Sequence, residues 1–239
     1  MLREMRSGVV AVGVLVLVGV FDTVAAAEGP QRGLWLLGGR NVRNTRHQRA
    51  EDRIDVATAA GLQVQWVAET DGDISATPAV DESSVYVPDW AGKLYAFNRH
   101  TGQVRWSRTI ASLTGVGTGC APGLSPGTDF ARATPAIAGD FLILGDQGGR
   151  CSAGARVFAV NKRTGRVKWV TQVDAHFAAI VTQPATVDPR DPRVAYVGVA
   201  SMEEALAAFI PGYPCCTFRG SVVALDTETG RILWKTATV

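Results

Sequence analysis

Cys215 and Cys216 are adjacent in the chain. Neighbouring cysteines can join only through a strained ring, and strain of that sort gathers at functional sites. A flat ring of this kind can pack against a planar ligand. The alternative is that the two bridge separately to Cys120 and Cys151, the remaining cysteines. Arg219 follows closely and could clamp carboxylates bidentately, although a surface ion pair is the commoner use of such a residue. Glu203 and Glu204 are adjacent acids that could give oxygen ligands to Ca²⁺, which needs several such groups; a solvated charge pair is the plainer reading. His176 could act as an acid–base group, but a lone histidine is more often a structural hydrogen-bonder. There is no Cys-x-x-Cys-His for haem attachment, no Gly-x-Gly-x-x-Gly fingerprint after a strand, no P-loop and no His-Glu-x-x-His. A net charge of +2 gives no basic surplus that would argue for nucleic acid.

A threefold repeat must position these residues. Its copies read Ala76-Thr77-Pro78-Ala79-Val80 … Thr101-Gly102-Gln103-Val104-Arg105-Trp106, then Ala133-Thr134-Pro135-Ala136-Ile137 … Thr164-Gly165-Arg166-Val167-Lys168-Trp169, then Gln183-Pro184-Ala185-Thr186-Val187 … Thr229-Gly230-Arg231-Ile232-Leu233-Trp234. Self-similarity at this period marks stacked units that cannot bury their faces alone. Each copy divides into four short β-branched or aromatic runs, A to D, bounded by turn residues, which is the pattern of a propeller blade. Leu62-Gln63-Val64-Gln65-Trp66 alternates and ends in Trp like every D strand. It reads as the outer strand of a blade whose other strands lie elsewhere. The fold class expected is therefore all-β, an incomplete β-propeller of about three four-stranded antiparallel blades plus one extra outer strand. The Trp residues are expected to fill gaps between blades.

In an up-and-down blade the A–B and C–D turns share one face, and the B–C and D–A connections share the other. Every A–B and C–D turn here is short. The long segments are 111–132, 146–155 and 200–218, all on the second face, and they contain all four cysteines. Elaborating one face of a scaffold is how a fold carries a site. Cys120 and Cys151 belong to one blade, which favours pairing them and leaving Cys215–Cys216 as a vicinal pair, though cross-pairing stays open. The residues entering each A strand line the central funnel at this face: Asp73 and Ser75, then Arg132, then Thr182 and Gln183, with His176 in the connection before the third blade.

Residues 1–27 read as a secretory signal, with Arg3 and Arg6 ahead of an apolar run from Val9 to Phe21 and an Ala25-x-Ala27 cleavage site. The run is short for a membrane span, so none is expected after signal removal. Export to the periplasm or beyond places the cysteines in an oxidising compartment. Residues 28–61 form an irregular lead-in and 62–239 the blades.

At these residues the chain resembles the pyrroloquinoline quinone (PQQ) repeat proteins, and within them the polyvinyl alcohol dehydrogenase-like quinoproteins. The resemblance is carried by the blade phrase Leu225-Asp226-x-x-Thr229-Gly230-x-x-x-Trp234 and by Trp35 … Gly39-Arg40-Asn41 … Asn44-Thr45-Arg46. It is carried more specifically by His176-Phe177-Ala178-Ala179-Ile180-Val181-Thr182-Gln183 and by Glu203-Glu204-Ala205 … Tyr213-Pro214-Cys215-Cys216-Thr217-Phe218-Arg219. It implies a PQQ-dependent alcohol dehydrogenase using Ca²⁺. By this resemblance Cys215 and Cys216 stack on the quinone and Arg219 holds its oxygens, at a shorter spacing than in methanol dehydrogenases. An alcohol is the implied substrate and a cytochrome c or other carrier the electron acceptor. The family closes its propellers with about seven or eight blades, within the four-to-eight range of such folds. The chain is therefore expected to be the N-terminal part of a longer protein, with the catalytic Asp and much of the Ca²⁺ shell in later blades. The competing expectations are a non-catalytic propeller scaffold for protein contacts and an inactive truncated fragment.

Overall fold

The computed structural model describes residues 33–116, 129–148 and 154–238. The expected signal at 1–27 and the Cys120–Cys151 pairing lie outside the described residues.

Three antiparallel sheets follow one another along the chain. The first holds β1 (Ala79–Val80), β2 (Ser84–Pro88), β3 (Lys93–Asn98) and β4 (Val104–Thr109), hydrogen-bonded in that order. A short helix, α1 (Ile110–Thr114), leads away from it. The second sheet is β5 (Ala136–Ala138), β6 (Phe141–Gly145), β7 (Ala155–Asn161) and β8 (Val167–Asp174). Then comes β9 (Ala179–Ile180), followed by the third sheet: β10 (Thr186–Val187), β11 (Val194–Ser201), β12 (Ser221–Asp226) and β13 (Ile232–Ala237). Helix α2 (Glu203–Phe209) lies between β11 and β12. These are the blades that the repeat predicts, and none of the sheets closes on itself.

The inner strands are short for a chemical reason. A proline has no N–H to give to a ladder, so β1 begins directly after Pro78 and β5 directly after Pro135. Each C–D turn reverses through a glycine at positive φ, namely Gly102 at 70°, Gly165 at 67° and Gly230 at 73°. The side chain of Asn98, Asn161 or Asp226 caps the turn by accepting from the backbone N–H three residues on, at Thr101, Thr164 and Thr229.

The indoles join the sheets by one repeated contact. Trp66 lies over Gly102 and donates its Nε1–H to Arg99 O at 2.9 Å. Trp106 lies over Gly165 and donates to Lys162 O at 3.0 Å; Trp169 lies over Gly230 and donates to Thr227 O at 2.9 Å. In each case the tryptophan ending one blade sits on the Thr-Gly turn of the next. A Cβ on Gly165 would stand 2.8 Å from Trp106 Cε3, so the ring can rest there only because the residue is glycine. Trp106 and Trp169 are buried, whereas Trp234 on β13 meets no such turn among the described residues and is 46% exposed. Residues 62–66 form no ladder, since no neighbouring strand stands beside them among the described residues. The contact made by Trp66 is nevertheless in place.

Two apolar cores fill the spaces between blades. Tyr86, Leu94, Trp106, Leu142, Leu144 and Phe158 pack between the first and second sheets. Ile143, Val157, Trp169, Val181, Val197 and Leu225 pack between the second and third. The lead-in crosses the inner strands: Trp35 bridges Val80, Leu36 O accepts from Ile137 N, and Gly38 lies against Pro184.

Candidate functional site

The connections on the elaborated face touch one another. Gln147 N donates to Phe130 O and Val181 N to Asp146 O, which ties the B–C loop of the second blade to the connections on both sides of it. Met202 N donates to Ala178 O, which ties the long loop of the third blade to the segment carrying His176. Strand β9, which sequence reasoning left as a connection, reinforces this by pairing Ile180 with Ala200.

Cys215 and Cys216 form the vicinal disulfide, across a cis peptide bond, in an exposed loop. Beneath that loop lies Glu203, the first residue of α2, fully buried. Its carboxylate accepts from Tyr213 Oη at 2.7 Å, Thr217 Oγ1 at 2.8 Å, Thr217 N at 2.9 Å and Phe218 N at 2.6 Å. Burial pushes against the charge, but the Phe218 amide, the Tyr213 hydroxyl and the Thr217 donors outweigh it and hold the carboxyl down at about 2. His176 completes the group. Its Nδ1 accepts from Ala178 N, so Nε2 carries the proton and donates to Thr217 Oγ1 at 3.0 Å, which in turn donates to Glu203. Phe177 and Phe218 flank the imidazole. The structure thus brings His176, Glu203, Cys215 and Cys216 into one loop cluster. Arg219 and Glu204 are exposed beside it.

Arg132 and Gln183 lie elsewhere, on the wall of a cleft of about 490 Å³ at the heads of the three inner strands. Ser75, Thr134 and Thr182 share that wall, and Arg46 of the lead-in adds a second guanidinium. None of His176, Cys215, Cys216 or Arg219 lines it. Asp73 is exposed close by, its carbonyl accepting from Trp90 N.

Sequence reasoning missed two features. Trp90 sits in the B–C turn of the first blade, stacked on Phe130 with ring centroids 5.1 Å apart and with the Arg132 guanidinium 5.6 Å over its ring. Its Nε1–H donates to Ser75 Oγ. A large aromatic in a tight polar turn, Asp89-Trp90-Ala91-Gly92, is the signal that would have found it. The second feature is a buried acid pair, Asp129 and Asp146, with Thr114 Oγ1 donating to Asp129 and Arg156 N to Asp146. Burial, with the Asp129 charge second, pushes Asp146 up to about 7, while the Arg156 amide and guanidinium pull the other way.

Residues 50–209, more than half of the chain, match the family described as outer membrane protein assembly factor BamB, a family of PQQ-type repeats. The chain belongs to this PQQ-repeat family. It is 31% identical over 193 residues to a polyvinylalcohol dehydrogenase of Sphingopyxis sp. (strain 113P3), a match that covers 80% of this chain and 26% of that protein. It is 23% identical over 225 residues to the quinohemoprotein alcohol dehydrogenase ADH IIB of Pseudomonas putida, covering 92% of this chain and 28% of that one. The chain thus spans little more than a quarter of the length of these relatives. A europium-containing methanol dehydrogenase superposes with a TM-score of 0.61 at 19% identity, over 88% of this chain and 32% of that one. At that identity the likeness is one of fold, and the fold is the propeller.

For a PQQ-repeat protein, PQQ and Ca²⁺ are the groups to test against the residues present. No three His, Cys, Asp or Glu side chains gather as a metal set among the described residues. A cation at Glu203 would compete with the four protein donors already on its oxygens. The described residues therefore do not fit Ca²⁺. A flat quinone carrying carboxylates fits better: the exposed disulfide offers one apolar face, and Arg219 stands three residues away.

Proposed function

We propose that this chain supplies blades and the disulfide platform of a periplasmic or secreted PQQ-dependent alcohol dehydrogenase of the polyvinyl alcohol type. The observation that carries this reading is the exposed Cys215–Cys216 pair on the elaborated face, braced from below by Glu203. A scaffold that only met other proteins would have no need of such a platform. A bound PQQ would supply a two-electron acceptor for an alcohol, and a cytochrome c or other carrier would be the onward electron acceptor. The chain's own part is binding and orientation. Cys215 and Cys216 pack on the planar face and Arg219 opposes a carboxylate, while Arg132 and Gln183 stand apart on the wall of the cleft and His176 is engaged with Thr217 beneath the loop. Glu203, its oxygens already taken by four protein donors, braces the loop rather than a cation. Among the described residues no helix is long and apolar enough to cross a membrane.

The test is titration of the purified chain with PQQ, with and without Ca²⁺, read by tryptophan quenching and quinone absorbance. Saturable binding that is lost in the double variant Cys215→Ser, Cys216→Ser supports the reading. Equal binding by the wild type and the double variant would remove the role given to the pair. A second reading, protein contact, is favoured by the outer edge of the third blade, where Ile232, Leu233 and Trp234 are exposed on β13. Absence of PQQ binding together with self-association that Trp234→Ala abolishes would put that reading first.

A further inference from the structure

Glu203 is the only buried acid of the long loop between β11 and β12, and it lies at one end of that loop while all of its donors lie at the other. Tyr213 precedes the disulfide by two residues, and Thr217 and Phe218 follow it directly. The carboxylate therefore grips the chain on both sides of Cys215–Cys216. Two of the donors are backbone amides, which fix the path of the chain rather than a rotamer. The disulfide itself is exposed, and among the described residues Cys215 N bonds to Tyr213 O within the same loop.

We infer that Glu203 is the positioning residue of the disulfide loop: its carboxylate, gripping the chain on both sides, sets where the Cys215–Cys216 pair stands. Tyr213 acts through it from one side, and Thr217, aligned by His176 Nε2–H, acts from the other. Apolar cover is thin on this side: Phe177 is 58% exposed and Phe209 85%, and Phe218 alone of the neighbouring phenylalanines packs against the core. Removing the carboxylate leaves two backbone amides and two hydroxyls facing a cavity, an arrangement that costs far more than a lost surface contact. Glu203→Gln is milder than Glu203→Ala. Its amide can turn the oxygen toward the two N–H groups and leave the NH₂ to hydroxyls that can reverse and accept. The grip on the loop is independent of what binds there; its importance for a ligand rests on the quinone reading above.

The experiment uses the whole chain as wild type, Glu203→Ala, Glu203→Gln and Tyr213→Phe. The disulfide is reduced with a phosphine under native conditions, and the freed thiols of the 215–216 peptide are alkylated and followed by mass spectrometry. Unfolding by urea is recorded in parallel by far-UV circular dichroism, and PQQ titrations are run on the same samples. Reduction of this bond should be faster by about tenfold or more in Glu203→Ala, the effect of losing one or two bonds to a charged group. Glu203→Gln and Tyr213→Phe should fall between it and the wild type, and the far-UV circular dichroism of the blades before urea is added should be unchanged in all three. Weaker PQQ binding in the same order supports the inference together with the quinone reading. The same order of reduction rates with no PQQ binding by any protein, wild type included, supports the positioning role and removes the quinone. Wild-type reduction rates in both Glu203→Ala and Tyr213→Phe would overturn the inference. If Glu203→Ala does not fold, Tyr213→Phe decides, because it leaves the carboxylate in place and removes a single donor.

Discussion

Trp106 and Trp234 occupy the same position of the repeat in different surroundings, and that difference can be measured. Trp106 is 7% exposed and rests on the Thr-Gly turn of the second blade; Trp234 is 46% exposed and meets no such turn among the described residues. A buried tryptophan hides ~150–250 Å². The gap in exposure therefore leaves ~90 Å² more apolar surface out of water at Trp106, worth ~2 kcal/mol at ~25 cal/mol per Å². The indole N–H bond to Lys162 O adds ~1 kcal/mol. Trp106→Ala should accordingly destabilise the chain by ~3 kcal/mol more than Trp234→Ala does. For a unit of this size that is a difference of ~6–12 °C in Tm. Urea and thermal unfolding followed by far-UV circular dichroism avoid relying on the fluorescence that the substitutions remove. Equal costs for the two variants would refute the argument, because they would mean that the turn contact contributes nothing beyond what the sheet already gives.

Two further outcomes follow from single positions. Gly230→Ala puts a Cβ 2.6 Å from the Trp169 ring at a φ of 73°, so it should cost ~1–3 kcal/mol, read as a lower urea midpoint, whereas the same change at Gly61, where nothing lies within 4 Å, should cost ~0.5 kcal/mol or less. Burial, followed by the Asp129 charge, raises Asp146 to about 7 in the fold, so the folded state holds a proton that the unfolded chain gives up near 4. Stability from this group is full below ~4 and is lost as pH rises through about 7; Asp146→Asn should flatten that part of the stability–pH curve, and an unchanged slope would show that the acid is not carrying it.

The frame was legible because it repeats. Three copies of the same phrase announce three units, and the Asn/Asp-x-x-Thr-Gly turns announce where each C strand reverses. That the tryptophans fill gaps between blades was also readable. Their partners were not: the turn carbonyl that Trp106 meets is 56 residues away in the chain, and no local pattern encodes such a pairing. The site was less legible. Glu203 beside Glu204 reads as two solvated acids or two oxygen ligands, because adjacency is all that a sequence displays. Only the path of the loop brings the Thr217 and Phe218 amides back onto Glu203, 14 and 15 residues on. Arg132 and Gln183 were placed at the funnel from blade topology alone and do line its cleft. That topology does not say how far the cleft stands from the disulfide loop, since loop length and loop path are separate quantities.

The two kinds of contact divide the molecule's work. The blades are tied by indoles buried on glycine turns and by apolar cores, contacts that are insensitive to pH and spread over many residues. The disulfide loop, apart from Phe218 on the core and the Met202 amide on Ala178 O, is tied by one carboxylate and its four donors, which are directional and depend on a single charge. A loop held mainly by packing would soften together with the blades when either is perturbed. Held as it is, it should respond to Glu203 while the blades do not, and the blades should respond to Trp106 while the loop does not. This separation lets a rigid, sequence-tolerant frame present a loop whose position is set locally, so changes in the loop can alter what it binds without unfolding the sheets beneath it.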